Sequence, residues 1–205
     1  MKRFAYGILL VLFTLPITAQ VGAGFTVSWD AYTRFKNPDV DPYYDAAGSA
    51  LLNFGLGPKI WIGGESFSFS AEAQATISPL ALSLQDYKGL GMASFPVIGK
   101  FNFNGVSGLN KEGDLGFSIG GGIQWTRTEL FGLSSDFEAD GVERSLTKVY
   151  VGVLGYGFGI SGFAGQVVAK YGFHPDTEAN VFGLGLQFDF NIPKLRQISD
   201  PASEL

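Results

Sequence analysis

Basic residues on the polar positions of alternating segments are the part of this sequence best suited to chemistry. Arg34, Lys148 and Lys170 each lie near one end of such a segment, with no acidic residue assigned beside them. Guanidinium and ammonium groups that converge on one point bind carboxylate or phosphate through charge-assisted hydrogen bonds. The three residues therefore predict a binding site for an anionic ligand or a lipid phosphate, unless acidic loop residues fold over and neutralise them.

Other polar positions of the same segments carry charges of both signs, which favours a second interpretation. If these positions face one enclosed space, their side chains must pair with one another, because an unpaired buried charge is costly. The result would be an internal network of ion pairs and hydrogen bonds that fills the space. The residues of this predicted polar network are Asp30, Lys59, Glu72, Lys100, Gln166 and Asp189.

Neither a metal site nor a catalytic site is expected. Asp136, Glu138 and Asp140 begin like a calcium-binding loop, but the twelfth position is Thr147 instead of a bidentate glutamate. The single histidine, His174, has no spacing that would join it to Ser134 and Asp176 as a catalytic group. The sequence predicts a protein that is not an enzyme and that uses no cofactor.

The segments that position these residues alternate with a period of two. In residues 66–77 every odd position is apolar and every even position is polar, and residues 181–192 repeat the pattern with one exception, Val181. A period of two predicts a β-strand with one dry and one wet face. Similar segments cover residues 25–34, 50–62, 96–103, 115–128, 144–156 and 160–171.

Alternation also assigns individual side chains of these segments to one face or the other. Arg34 is placed on the wet face of the first segment and Ala50 on the dry face of the second, whereas Arg127 falls on the dry face of the fifth. An arginine there is tolerated only at a membrane rim, where its head group reaches water, and it is a candidate for binding a lipopolysaccharide phosphate. The segment at residues 144–156 is ambiguous, because Val149, Val151 and Val153 oppose residues that are equally apolar.

Taken together, the segments predict an all-β fold, a closed antiparallel transmembrane β-barrel of eight strands, with ten strands as the alternative. Charges on most of the wet faces favour a barrel with a polar interior over a soluble sandwich, whose apolar faces would point inward. Short turns are predicted at residues 63–65, 104–113 and 157–159. Longer loops are predicted at residues 36–47, 78–88, 130–143 and 174–179.

Composition and the chain ends point to export. Residues 1–19 have a basic start, a short apolar core and a small-residue cleavage site, as in a cleaved signal peptide. Residues 20–192 then form the barrel, and residues 193–205 a short periplasmic tail. The chain has no cysteine for a lipid anchor, and its 14 basic against 19 acidic residues disfavour nucleic acid as a partner.

Residues 22–192 resemble the small bacterial outer-membrane barrels of the OmpX type and the OmpA transmembrane domain. The closing segment, residues 183–190, is similar to the C-terminal signal read by the barrel-assembly machinery, although the final aromatic is followed here by a tail. The resemblance implies an integral outer-membrane location, with lipopolysaccharide and the assembly machinery as partners. An extracellular or periplasmic protein partner is also expected.

The resulting functional prediction is a non-catalytic barrel that acts as a structural, adhesion or assembly component with acidic surface loops. One alternative is a narrow transporter or binder of small solutes or hydrophobic molecules. A second alternative is an outer-membrane enzyme that modifies lipids.

Overall fold

The computed structural model describes residues 20–38, 44–64, 66–83, 89–107, 114–131, 146–160 and 162–192. The predicted signal peptide and the predicted tail both lie outside these ranges. Within them, no helix is long and apolar enough to cross a membrane.

The described residues form nine β-strands. They are β1 (Gln20–Asn37), β2 (Ala46–Gly63), β3 (Phe67–Ala73), β4 (Ala75–Ser83), β5 (Leu90–Asn104), β6 (Leu115–Phe131), β7 (Thr147–Ile160), β8 (Phe163–Phe173) and β9 (Asn180–Asn191).

The strands close into a ring. Except for β3 and β4, strands that are neighbours in sequence pair antiparallel, and β1 also pairs with β9. Strands β3 and β4 both lie between β2 and β5, interrupted only at Gln74, so together they form the third barrel strand. The predicted closed antiparallel barrel of eight strands is therefore confirmed. We call the end where β1 begins the inner end and the opposite end the outer end.

Several strands extend further than the sequence predicts. The third barrel strand continues to Ser83, through part of the predicted loop at residues 78–88. Strand β7 continues to Ile160, so the turn predicted at residues 157–159 is strand instead.

The barrel is apolar outside and polar inside over most of its length. Along β7, for example, Tyr150, Leu154 and Tyr156 are exposed on the outer surface, whereas the alternate positions are buried. Other exposed apolar side chains are Phe54, Leu56, Ile60, Phe69, Phe95, Phe101, Phe117, Ile119, Val167, Phe182 and Leu184. A continuous band of this kind around a closed sheet is stable in contact with lipid and not with water.

β-Bulges near the outer end reverse which positions face inward. The pairing of β1 with β9 shifts between Asp30 and Tyr32, and Leu52 in β2 has a positive φ of 58°. An additional residue in a strand changes the parity of every residue beyond it. As a result Ala50 lies inside the barrel, fully buried, and Arg34 lies outside and exposed. Both positions are the reverse of the prediction from alternation.

Prolines interrupt the hydrogen bonding on both sides of the third barrel strand. The amide of Gln74 donates to the carbonyl of Pro96 at 2.9 Å, but Pro96 has no N–H to return the bond. On the other side, the pairing of β2 with this strand stops at Lys59 with Glu72 and resumes at Leu56 with Ala75. Pro58 therefore has no partner in the third barrel strand. The middle of this strand is therefore held by fewer backbone bonds than its neighbours.

Hydrogen exchange is expected to reveal this interruption. In lipid vesicles, the amides of Leu56, Ala75 and Ile77 should exchange about tenfold faster than those of Val167 and Leu184 in the regular β8–β9 ladder, because local opening costs less there. The variant Pro96→Val, which restores the missing donor, should slow the exchange. Equal rates at the two places would contradict this interpretation.

Candidate functional site: the barrel lumen

Two buried ion pairs cross the inner half of the lumen. The Lys59 Nζ lies 2.7 Å from Asp189 Oδ2, and the Lys100 Nζ lies 2.7 Å from Glu72 Oε1. All four side chains are almost wholly excluded from solvent, and Lys100 is fully so. The pairs join residues from β2, β3, β5 and β9, which contribute to the same space because the sheet closes.

Gln187 joins the two ion pairs. Its Oε1 accepts a hydrogen bond from the Lys100 ammonium at 2.7 Å. Its Nε2 donates to Glu72 Oε2 at 3.0 Å and to Asp189 Oδ1 at 2.8 Å. The four charges and this amide thus form one connected network, in which each ammonium and carboxylate has a partner of opposite charge.

Further amides and hydroxyls extend the network across the lumen. Gln166 Nε2 donates to Asp189 Oδ2 at 3.1 Å, and Ser118 donates to Gln166 Oε1 at 2.6 Å. On the opposite wall Gln74 Nε2 donates to Glu72 at 3.2 Å. Sequence reasoning missed Gln187, Gln74 and Ser118, although Gln187 shares the wet parity of Asp189 and could have been found by the same signal.

A third ion pair lies closer to the outer end. The Lys170 Nζ is 3.0 Å from Asp30 Oδ1, and Asn53 Nδ2 donates to Asp30 Oδ2 at 3.3 Å. All six residues of the predicted polar network thus face the lumen and pair within it, together with Lys170. Three lysines and three carboxylates balance in these pairs, so they leave no excess charge to attract an ion.

Two apolar clusters occupy much of the outer half of the lumen, which the sequence did not predict, and buried polar side chains such as Thr33, Gln124 and Thr128 also face this half. One cluster of buried side chains surrounds Phe35 and Met92, and the other consists mainly of valines from β7, β8 and β9. The members are Phe35, Ala46, Ala50, Ala81 and Met92 in the first, and Ile98, Val149, Val151, Val153, Val168, Ala179 and Val181 in the second. The side chains of both clusters pack with little exposed area, as in a protein core.

The predicted anion site of Arg34, Lys148 and Lys170 is not assembled. Arg34 points to the outer surface because of the bulge in β1. Lys148 faces outward like Tyr150, and its Nζ lies 4.9 Å from the centroid of the Tyr150 ring. Lys170 is paired with Asp30. Arg34 and Lys148 lie on the outer face of the wall and Lys170 on the inner face, so the predicted site is corrected.

Two further charged groups lie at the outer rim. Arg127 is exposed on the outer surface near the outer end of β6, where the sequence placed it. Lys36 pairs with Glu178 and lies 3.9 Å from Asp45. The hydrogen bond from the Lys36 ammonium lowers the pKa of Glu178 below its ordinary value.

The remaining candidates do not come together. Asp136, Glu138, Asp140 and Ser134 lie outside the described residues, and within those residues no group of three His, Cys, Asp or Glu could hold a metal ion. The Nδ1 of His174 accepts a hydrogen bond from the amide of Asp176 at 3.3 Å. Its ring stacks on Tyr150 at a centroid distance of 6.4 Å, an arrangement that orients the histidine within its own loop.

Comparison of the sequence with known protein families and with curated proteins gives no match. Among solved structures, the chain is similar to Neisserial surface protein A, with 10% identity, a TM-score of 0.45, and coverage of 82% of this chain and 98% of that one. It is similar to the outer membrane protein OprG of Pseudomonas aeruginosa, with 14% identity, a TM-score of 0.41, and coverage of 84% and 95%. It is also similar to Ail, the attachment invasion locus protein of Yersinia pestis, with 14% identity, a TM-score of 0.42, and coverage of 82% and 99%.

The chain thus resembles small outer-membrane β-barrels. The sequence identities are low, so the class of protein is defined by the sheet itself, in which β1 pairs with β9 and closes the ring. That class is an eight-stranded antiparallel barrel with an apolar outer surface.

Proposed function

We propose that this chain is a non-catalytic integral barrel of a bacterial outer membrane whose lumen does not conduct solutes. In this proposal it acts as a structural, adhesion or assembly component, and its outer loops determine which partner it meets. The outward apolar band supports the membrane location, since such a surface is stable in hydrocarbon. Export through a cleaved signal peptide belongs to the same proposal.

The ion-pair network in the inner lumen is the observation that carries this proposal. An eight-stranded barrel is only wide enough to be filled by side chains. Here paired charges fill the inner half, and apolar clusters together with buried hydroxyl and amide side chains fill the outer half. A solute would have to break several buried ion pairs to pass. Removing one partner of such a pair costs about 3–5 kcal/mol, so spontaneous opening would be rare.

Conductance in planar lipid bilayers tests the proposal. The purified full-length protein should insert without producing current steps above the baseline, whereas a general porin added to the same bilayer should conduct. Insertion is verified separately by a difference in gel migration between unheated and boiled samples, as expected of a folded barrel. A steady current that scales with voltage and requires this protein would overturn the proposal in favour of a transporter.

A further inference from the structure

The basic side chains of the described residues divide into two groups by location. Three lysines face the lumen and are paired there: Lys59, Lys100 and Lys170. The other basic side chains in the described ranges face outward, and they all lie near the outer ends of their strands: Arg34, Lys36, Arg127 and Lys148. Outward-facing cations therefore occur at one rim of the described barrel.

Arg127 and Lys148 are neighbours on that rim. Lys148 of β7 is the register partner of Trp125 in β6, and Arg127 lies two residues beyond Trp125 on the same face. Diagonal neighbours of this kind are about 7–8 Å apart on adjacent antiparallel strands. The two cationic side chains can therefore reach one group placed between them.

Aromatic side chains lie directly beneath this pair. The Lys148 ammonium lies over the Tyr150 ring, 4.9 Å from its centroid. On the adjacent strand β8, Tyr171 and Phe173 stack on each other at a centroid distance of 6.4 Å. Belts of aromatic residues mark the level at which a bilayer passes from hydrocarbon to head groups. Arg127 and Lys148 therefore stand at the height of the head groups.

The other two rim cations lack this arrangement. Lys36 is engaged by Glu178 and Asp45. Arg34 lies opposite Ser49 and Phe182 on the adjacent strands, and the cation next to it on the same face of β1 is Lys36, which is already paired. In the described part of the chain, Arg127 and Lys148 form no ion pair, so their charges are available to a ligand.

We propose that Arg127 and Lys148 form a binding site for the phosphate groups of an outer-leaflet glycolipid of the lipopolysaccharide type. Arginine offers a planar pair of donors that matches phosphate, and lysine adds a second positive charge. The acyl chains of the same lipid would lie against the apolar band below the aromatic belt. This inference rests on the proposed outer-membrane location and names the lipid contact made there.

Titration with lipid A tests the site. The full-length protein in detergent micelles is titrated with lipid A that carries both phosphates and with the same lipid after removal of its phosphates, and bound lipid is counted by native mass spectrometry. The double variant Arg127→Gln/Lys148→Gln should bind the phosphorylated lipid at least about tenfold more weakly than the wild type, as expected for the loss of two charge-assisted contacts. The wild type should bind the dephosphorylated lipid as weakly as the double variant does.

Arg34→Gln is the matched control, since it removes an exposed cation from the same rim but not from the pair. It should change lipid binding less than twofold. Equal binding of phosphorylated lipid by the double variant and the wild type, or equal binding of the two lipids by the wild type, would overturn the proposed site. Equal losses in the double variant and the Arg34 variant would overturn it too, because binding would then depend on overall charge.

A separate measurement shows whether the proposed outer-membrane location, and not only the lipid site, is wrong. Fractionation of cells that produce the wild type shows whether the protein is in the outer membrane, independently of any lipid titration. Each variant must also retain the difference in gel migration between unheated and boiled samples, which shows that its barrel is folded.

Discussion

Replacing Lys100 by methionine is expected to lower the free energy of unfolding by about 3–5 kcal/mol, the cost of leaving a buried charge without its partner. The Glu72 carboxylate would keep hydrogen bonds from Gln187 and Gln74 but lose the ammonium at 2.7 Å. Because Lys100 is fully buried, water cannot replace the lost charge without entering the network. Urea titration of the protein folded in lipid vesicles measures the effect.

A second substitution separates the charge from the shape of the side chain. In the double variant Lys100→Met/Glu72→Gln no unpaired charge remains. The amide keeps the size of Glu72, and its oxygen can still accept one of the two hydrogen bonds that Gln74 and Gln187 donate. More than half of the lost stability should return, which appears as a coupling energy in a double-mutant cycle. Glu178→Gln, which breaks an exposed pair with Lys36, should leave the unfolding midpoint nearly unchanged. Additive losses in the cycle would mean that the two side chains act independently.

Substitution of Gly122 is expected to have an effect of similar size for a different reason. Gly122 faces inward on β6, and a Cβ there would overlap the carbonyl oxygen of Val97 on the adjacent strand. Adjacent strands can relieve such an overlap only by moving apart, and overpacking of this kind costs about 1–3 kcal/mol or more. We therefore expect Gly122→Ala to lose about 3 kcal/mol, or to fail to refold, in the same urea titration.

The neighbouring glycine provides the control. Gly121 faces outward, and the nearest atom to a Cβ placed there is the Val151 carbonyl oxygen at 3.0 Å. For Gly121→Ala the Val151 carbonyl needs to shift by only a few tenths of an ångström, so this variant should fold and lose clearly less stability than Gly122→Ala. If both variants lose the same stability, the loss reflects alanine in a strand and not the contact with Val97.

Alternation of polar and apolar residues was sufficient to predict most of the strands and the charged members of the inner network. Glu72 and Asp189 each lie within a long, regular run, so their parity fixes the face they occupy. Once the sheet is assumed to close, charges on these faces must meet in one space. The individual pairs were not predictable, because they depend on which strands lie opposite each other across the lumen.

The outer third of the barrel was less predictable, for two physical reasons. Bulges near Asp30 and at Leu52 change the parity of the residues beyond them, and the sequence shows no signal for them other than an irregularity in alternation. The lumen-facing residues of β7 are also apolar, so both faces of this strand are apolar and the positions of Val149, Val151 and Val153 could not be assigned. The predicted anion site failed because Arg34 and Lys148 both belong to this region.

The bulge in β1 has a consequence for how this chain tolerates insertions and deletions. In strand β1, inward and outward residues alternate before the bulge and again after it. The additional residue at the bulge shifts the second alternation by one position relative to the first. Deleting that residue would put the two alternations in phase and turn the outer part of the strand over, carrying Arg34 into the apolar lumen and Phe35 out of it. A change of one residue in length there would therefore alter the barrel more than most substitutions, whereas a change of two residues would preserve both faces.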